Sequence, residues 1–178
     1  TTEQEAKSGK PAYSAGVKLK IVNDVVYIAD SKRWRKTAGQ TRQSVKNIAS
    51  QDGIDCIVDI PQDPGQAGKD QRSSYFKLLH GYVVRYSTES GNKVLRAEPL
   101  SAQAEAGNVK LVEGDWNRDF LDEITFFPAG FKDQVDATVR AYNRALKENK
   151  NNDNEIGAPG GFKKEKQEST GKMIYYFV

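Results

Sequence analysis

Four carboxylates stand where this sequence could do chemistry. Asp59 and Asp63 bracket the end of an apolar run, Ile54 to Ile60, that opens into Pro61-Gln62-Asp63-Pro64-Gly65-Gln66-Ala67-Gly68-Lys69. Asp133 and Asp136 lie three residues apart at the start of a later helical pattern, so they share a face. Carboxylates at the C-terminal end of a strand border the crevice in which open α/β sheets keep their functional groups. Hard cations such as Mg²⁺ are held by one or two carboxylates, with water and phosphate oxygens filling the other positions. Gly65 beside Asp63 would let a phosphate backbone approach closely. Each pair also has a plain structural use. An Asp before Pro-Gly initiates a turn, and acids in a first helical turn interact favourably with the helix dipole.

Other chemistries are excluded or weak. The loop at 63 to 69 resembles a nucleotide-phosphate loop only superficially. Asp63 stands where the first glycine is required and Asp70 where Ser or Thr must follow the Gly-Lys pair. One cysteine, Cys56, and one histidine, His80, rule out an internal disulfide and a Cys/His zinc cage. His80 sits at a helix end with no evident partner for acid–base work. The net charge of +3 says little, but the charges are unevenly placed. Lys32, Arg33, Arg35, Lys36, Arg42 and Lys46 form a basic stretch around Trp34, opposed only by Asp30, and Lys69, Arg72, Lys93 and Arg96 add charge near the glycine-rich loop. Such groups can track nucleic-acid phosphates or simply solvate a surface. Residues 113 to 123 are acidic and should avoid DNA, while Trp116, Phe120, Phe126 and Phe127 read as core.

The elements that must position these residues alternate in type. Runs at 16 to 22 and 25 to 30 flank Asn23-Asp24 and predict a hairpin. A helix capped by Thr41 and ending near Ser50, the strand Ile54 to Ile60, a helix over 69 to 80 and the strand YVVRY follow. Next come a helix over 94 to 106 despite Pro99, the strand NVKLV, a short helix from Trp116 to Thr125, and a final helix from Asp133 to about Lys147. The stripe Val135, Val139, Tyr142 and Leu146 marks the buried face of that last helix. Residues 147 to 171 hold almost nothing to bury, and MIYYFV at the end is apolar and β-prone, open to a sheet edge or a partner. The organisation expected is a flexible lead-in over 1–14, one α/β domain over 15–147 with a mixed sheet flanked by helices, and a mostly mobile tail over 148–178. No stretch is apolar enough for a membrane helix and the first residues lack a signal-peptide core, so a soluble intracellular protein is expected.

Three segments together resemble the C-terminal nuclease domain of the large terminase subunit of tailed bacteriophages: IPQDPGQAGK at 60 to 69, ESGNKVLRAEPLSAQAEAGNVKLV at 89 to 112, and DWNRDFLDEITFFPAGFKDQVDA at 115 to 137. The likeness runs in order from about Ala15 to Asn143. It implies an RNase H-like fold and divalent-metal-dependent cutting of concatemeric double-stranded DNA during genome packaging, with two Mg²⁺ or Mn²⁺ ions at the scissile phosphate. Asp63 and Asp133 match the family's catalytic acids, with Asp136 and, less directly, Asp59 as further metal ligands. Lys32, Arg33, Arg35, Lys36, Arg42, Lys69 and Arg96 would bind DNA. Implied partners are double-stranded DNA, the small terminase subunit, the portal protein and the ATPase domain of the same large subunit, with no membrane, in the host cell cytoplasm. Two positions depart from the pattern. Lys132 replaces an acid often found before Asp133, and the acid-bearing first strand that the resemblance puts ahead of AGVKL is not found after Thr1, so either that strand lies upstream of Thr1 or one metal ligand is lacking. The rival readings are a non-catalytic DNA-gripping or portal-docking module, and another RNase H-like nuclease such as a junction resolvase.

Overall fold

The computed structural model describes residues 13–62, 64–88, 91–156 and 173–177. Asp63, one of the two principal candidates, lies outside the described residues. Strands β1 (Ser14–Val22) and β2 (Val25–Trp34) form the expected hairpin. Asn23 and Asp24 both take positive φ, 49° and 62°, the geometry that a two-residue turn matched to strand twist demands. Helix α1 (Ala38–Asp52) starts earlier than expected. Thr37, not Thr41, is the cap: its hydroxyl accepts from the Gln40 backbone N–H, while the Gln40 side chain accepts from the Thr37 N–H. Then follow β3 (Cys56–Pro61), α2 (Gln66–Leu78), β4 (Val83–Ser87), α3 (Lys93–Glu105), β5 (Val109–Leu111), α4 (Asn117–Phe126), α5 (Asp133–Ile156) and β6 (Met173–Phe177).

The sheet runs β4-β3-β6-β1-β2-β5. The boundary expected at 147 therefore gives way twice. Helix α5 continues to Ile156, and β6 sits at the centre of the sheet, antiparallel to β1 and parallel to β3. Its burial explains the placement: Ile174, Tyr175, Tyr176 and Phe177 are each at most 4% exposed. A strand rich in β-branched and aromatic residues, apolar on both faces, is stable only where both faces are covered. Gly16 is required beside it, because a Cβ there would stand 2.7 Å from the Phe177 ring.

Two cores result. On one face α1 and α2 cover Cys56, Val58, Ile60, Tyr175 and Phe177 with Val45, Ile48, Ala49, Tyr75 and Leu79. On the other, Val17, Leu19, Ile21, Ile57 and Ile174 meet Ala137, Ala141 and Tyr142 of α5 and Phe120 of α4. Ala137, Ala141 and Ala145 recur every four residues along α5, a flat strip that lets the helix lie close to the sheet. Of the expected stripe on that helix, Val135, Val139 and Tyr142 are buried and Leu146 is half-buried. Of the four aromatics read as core, Phe120 is fully buried and Trp116 and Phe127 are half-buried. Phe126 is instead 68% exposed, since it ends α4 on the side away from Phe120.

Candidate active site

One cross-strand row organises the site. Arg85 of β4, Asp59 of β3, Tyr176 of β6, Val17 of β1 and Ser31 of β2 are register partners in turn. Helix α5 crosses the strands along this row, and its side chains touch successive members. Gln134 accepts a hydrogen bond from the Ser31 hydroxyl at 2.7 Å, Arg140 donates to the Tyr176 hydroxyl, Arg144 donates to Asp59, and Glu148 accepts from Arg85 at 3.2 Å. The dimensions agree. Four strand spacings are about 19 Å, and the fourteen-residue step from Gln134 to Glu148 rises about 21 Å.

The start of α5 is fixed from outside the helix. Glu123 of α4, 5% exposed, accepts from the backbone N–H groups of Gln134 at 2.6 Å and Val135 at 3.2 Å, and from the Gln134 amide at 2.9 Å. Arg33 completes the set at 2.9 Å. A carboxylate from a neighbouring helix thus satisfies two of the donors that every helix N-terminus leaves unpaired. The acidic reading of residues 113 to 123 missed this. Glu123 stands three residues after Phe120, on the same helical face, and that spacing was the available signal.

The candidate acids fall into different environments. Asp133, in the first turn of α5, is half-buried and makes no hydrogen bond or ion pair with any described residue. Burial raises its carboxyl pKa, and the negative charge of Glu123 adds to the rise against the pull of Lys93 and Arg33. Asp136 shares its face and is surrounded by cations: Lys93 at 2.9 Å, Arg96 at 3.6 Å and Arg140 at 3.8 Å. Because Lys93 and Arg96 belong to the first turn of α3, these contacts bind that helix to the start of α5.

Asp59 is fully buried and held by Arg144 and by the Ser87 hydroxyl at 3.0 Å. Burial raises its pKa, with Arg144 and Ser87 opposing. Arg144 lies eight residues beyond Asp136, about 12 Å along the helix. The structure therefore joins Asp133 and Asp136 on one side of α5 and keeps Asp59 in a separate ion pair. Among the described residues, no group of three or more His, Cys, Asp or Glu side chains is placed to hold a metal ion.

The basic residues also divide. Lys32 pairs with Asp30 at 2.7 Å, Arg33 with Glu123 and Arg96 with Asp136. Arg35 lies over the Tyr13 ring, 4.0 Å from its centroid. Lys36 donates to Ser44 and stands over Trp34, and neither it nor Arg42 nor Lys69 pairs with a carboxylate among the described residues. All are near one edge of the sheet. There β2, β3, β4 and β6 end, β1 begins, and the chain enters α1, α2 and α3.

A mixed sheet with helices on both faces and acids and bases gathered at one strand edge defines an α/β protein of the RNase H-like class. The family described as Terminase RNaseH-like domain matches residues 6–145, and the chain belongs to it. Among curated proteins and among solved structures, none matches this chain. No helix among the described residues is long and apolar enough to cross a membrane.

Proposed function

We propose that this chain is the metal-dependent endonuclease domain of a phage large terminase, cutting concatemeric double-stranded DNA as genomes are packaged. The observation that carries this reading is Asp133, a half-buried carboxylate at the start of α5 with no hydrogen bond or ion pair to any described residue, within the family-matched span. Leaving a carboxylate half-buried and unpaired costs stability, which is the usual sign of a group kept for chemistry. Its hard oxygen donors suit Mg²⁺ or Mn²⁺, which need only one or two protein carboxylates when water and phosphate supply the rest. Asp133 would hold such an ion together with Asp63, and Asp136 beside it would be a further donor on release from Lys93. The bound ions would activate water and neutralise charge on the scissile phosphate.

The chain's own residues do the remaining work. Glu123 fixes the first turn of α5, and so the direction in which Asp133 projects. Lys36, Arg42 and Lys69 attract the backbone without reading sequence, because phosphate contacts position a protein rather than specify a site. Double-stranded DNA is then the substrate, and the small subunit, portal and packaging ATPase are the assembly partners within an infected host cell.

The test is plasmid nicking in Mn²⁺. Asp63→Ala and Asp133→Ala should each abolish it while circular dichroism stays native, and unchanged cutting would remove that residue from the site. One observation favours the non-catalytic alternative: Asp59 is already engaged by Arg144. Calorimetric titration of Mn²⁺ separates the two. Binding that is lost in Asp133→Ala supports the nuclease, whereas no metal binding with retained DNA affinity supports a gripping module.

A further inference from the structure

On the face of the sheet opposite α5, the same strand edge opens into a cleft of about 280 Å³. Its walls are the ends of four strands, at Ser14, Trp34, Pro61 and Phe177, closed by α1 and α2. Trp34 and Phe177 pack at 6.3 Å between ring centroids and give the cleft an aromatic side, with the Trp34 indole oriented by its N–H bond to Thr41 at 3.3 Å. Lys36 and Arg42 stand at the cleft without a carboxylate partner among the described residues. Aromatic surface beside two cations that no described carboxylate neutralises suits a ligand that carries both a planar ring and a phosphate. The volume is near the lower limit for small-molecule sites, which fits one nucleotide rather than a duplex. Pro61 stands two residues before Asp63, so a strand with one nucleotide in the cleft would pass the glycine-rich turn.

We propose that this cleft receives a single nucleotide of single-stranded DNA, its base against Trp34 and its phosphate on Arg42 and Lys36. The proposal rests on the nuclease reading for its biological sense: cutting exposes strand ends, and a cleft at the cutting edge would retain one. It stands physically on its own residues. A duplex base pair cannot enter, so the cleft should prefer single strands, as stacking platforms with basic grooves do.

The experiment omits the metal and so is independent of cutting. Binding of fluorescein-labelled (dT)₈ to the full chain is followed by anisotropy in EDTA, against an eight-base-pair duplex and free dTMP as competitors. The expected result is preference for (dT)₈ over the duplex and saturable quenching of tryptophan emission. Arg42→Glu, which removes the phosphate partner, and Gln71→Trp, which fills the cleft from α2, should each weaken (dT)₈ at least tenfold with thermal unfolding unchanged. Equal affinity for the duplex, or (dT)₈ binding indifferent to both variants, overturns the proposal. Displacement by dTMP at the same nucleotide concentration overturns it in favour of a free-nucleotide site. Loss of Mn²⁺-dependent nicking in Asp133→Ala with (dT)₈ binding intact leaves the proposal standing, so its failure and that of the nuclease reading are told apart.

Discussion

Replacing Glu123 by alanine should be among the most damaging single changes in this fold. The carboxylate accepts two backbone N–H bonds at the start of α5, one from the Gln134 amide and one from Arg33, and its side chain is 1% exposed against 21% for Arg33. Alanine leaves a half-buried guanidinium and two helix-terminal donors without their acceptor. Breaking a buried ion pair by removing one partner costs about 3–5 kcal/mol, and losing a helix cap about 1 kcal/mol. Because one group serves both purposes, the two do not add fully, and about 3–5 kcal/mol in total is expected. For a chain of 178 residues that corresponds to a melting point lower by roughly 6–20 °C. Glu123→Gln should cost less, about 1–3 kcal/mol. Its amide oxygen still accepts from the backbone, but its NH₂ is turned toward two other donors. Urea denaturation monitored by far-ultraviolet circular dichroism measures both. A Glu123→Ala midpoint equivalent to less than about 1 kcal/mol of destabilisation, at unchanged slope, would show that the four bonds do not hold the helix start.

Two further outcomes follow from buried titratable groups. Asp133 has its pKa raised above the ordinary 3.8 by burial, so the native state binds its proton more tightly than the unfolded chain does. The stability this group contributes is complete below 3.8 and is lost as pH rises through the raised value. Asp133→Asn removes that loss, and the stability of the variant relative to the parent should climb between pH 3 and pH 7 in parallel urea titrations; a flat difference refutes the assignment. Cys56 is 2% exposed, and burial pushes its thiol up to about 12. It should resist Ellman's reagent in the native protein at pH 8 and react fully in 6 M guanidinium, whereas rapid native reaction would show the β3 core to be open.

The Asp133 result also bears on why the site was partly legible in sequence. The hairpin turn, the β-α-β alternation and the first turn of α5 were readable because each rests on local chemistry: a turn pair with positive φ, β-branched runs, and acids preceding an apolar stripe. Pairings across the chain were not. Asp59 reads in sequence as a ligand four residues before Asp63, yet it shares a strand face with Ile57, against the α5 core. A carboxylate placed there needs a cation, and Arg144, 85 residues away, has no local mark that identifies it as the partner. Lys93 and Arg96 are open in sequence to phosphate contact or to plain surface solvation, and the acid that engages them, Asp136, reads as a metal ligand. Charge type was legible, while its assignment to a partner depended on α5 crossing the strands.

Strand β6 is where sequence reasoning had least to work with, and it bears most on the chemistry. Five apolar residues after a polar stretch carry no signal of which neighbours they will choose, since central and edge slots have the same pleat. In the fold β1 has β2 on one side and β6 on the other, so no further strand can pair with it while β6 is in place. The side of β1 away from β2 is the one β6 fills. In the row crossed by α5, that slot presents Tyr176, whose hydroxyl is held by Arg140 and Ser87, between the Asp133 end of the helix and the Asp59 end. The middle of the row is thus occupied by an aromatic hydroxyl bonded to Arg140 and Ser87. On the proposed nuclease reading, the acids left to hold a metal are those at the edge of the sheet, Asp133 at the start of α5 and Asp63, rather than a group in the middle of the row.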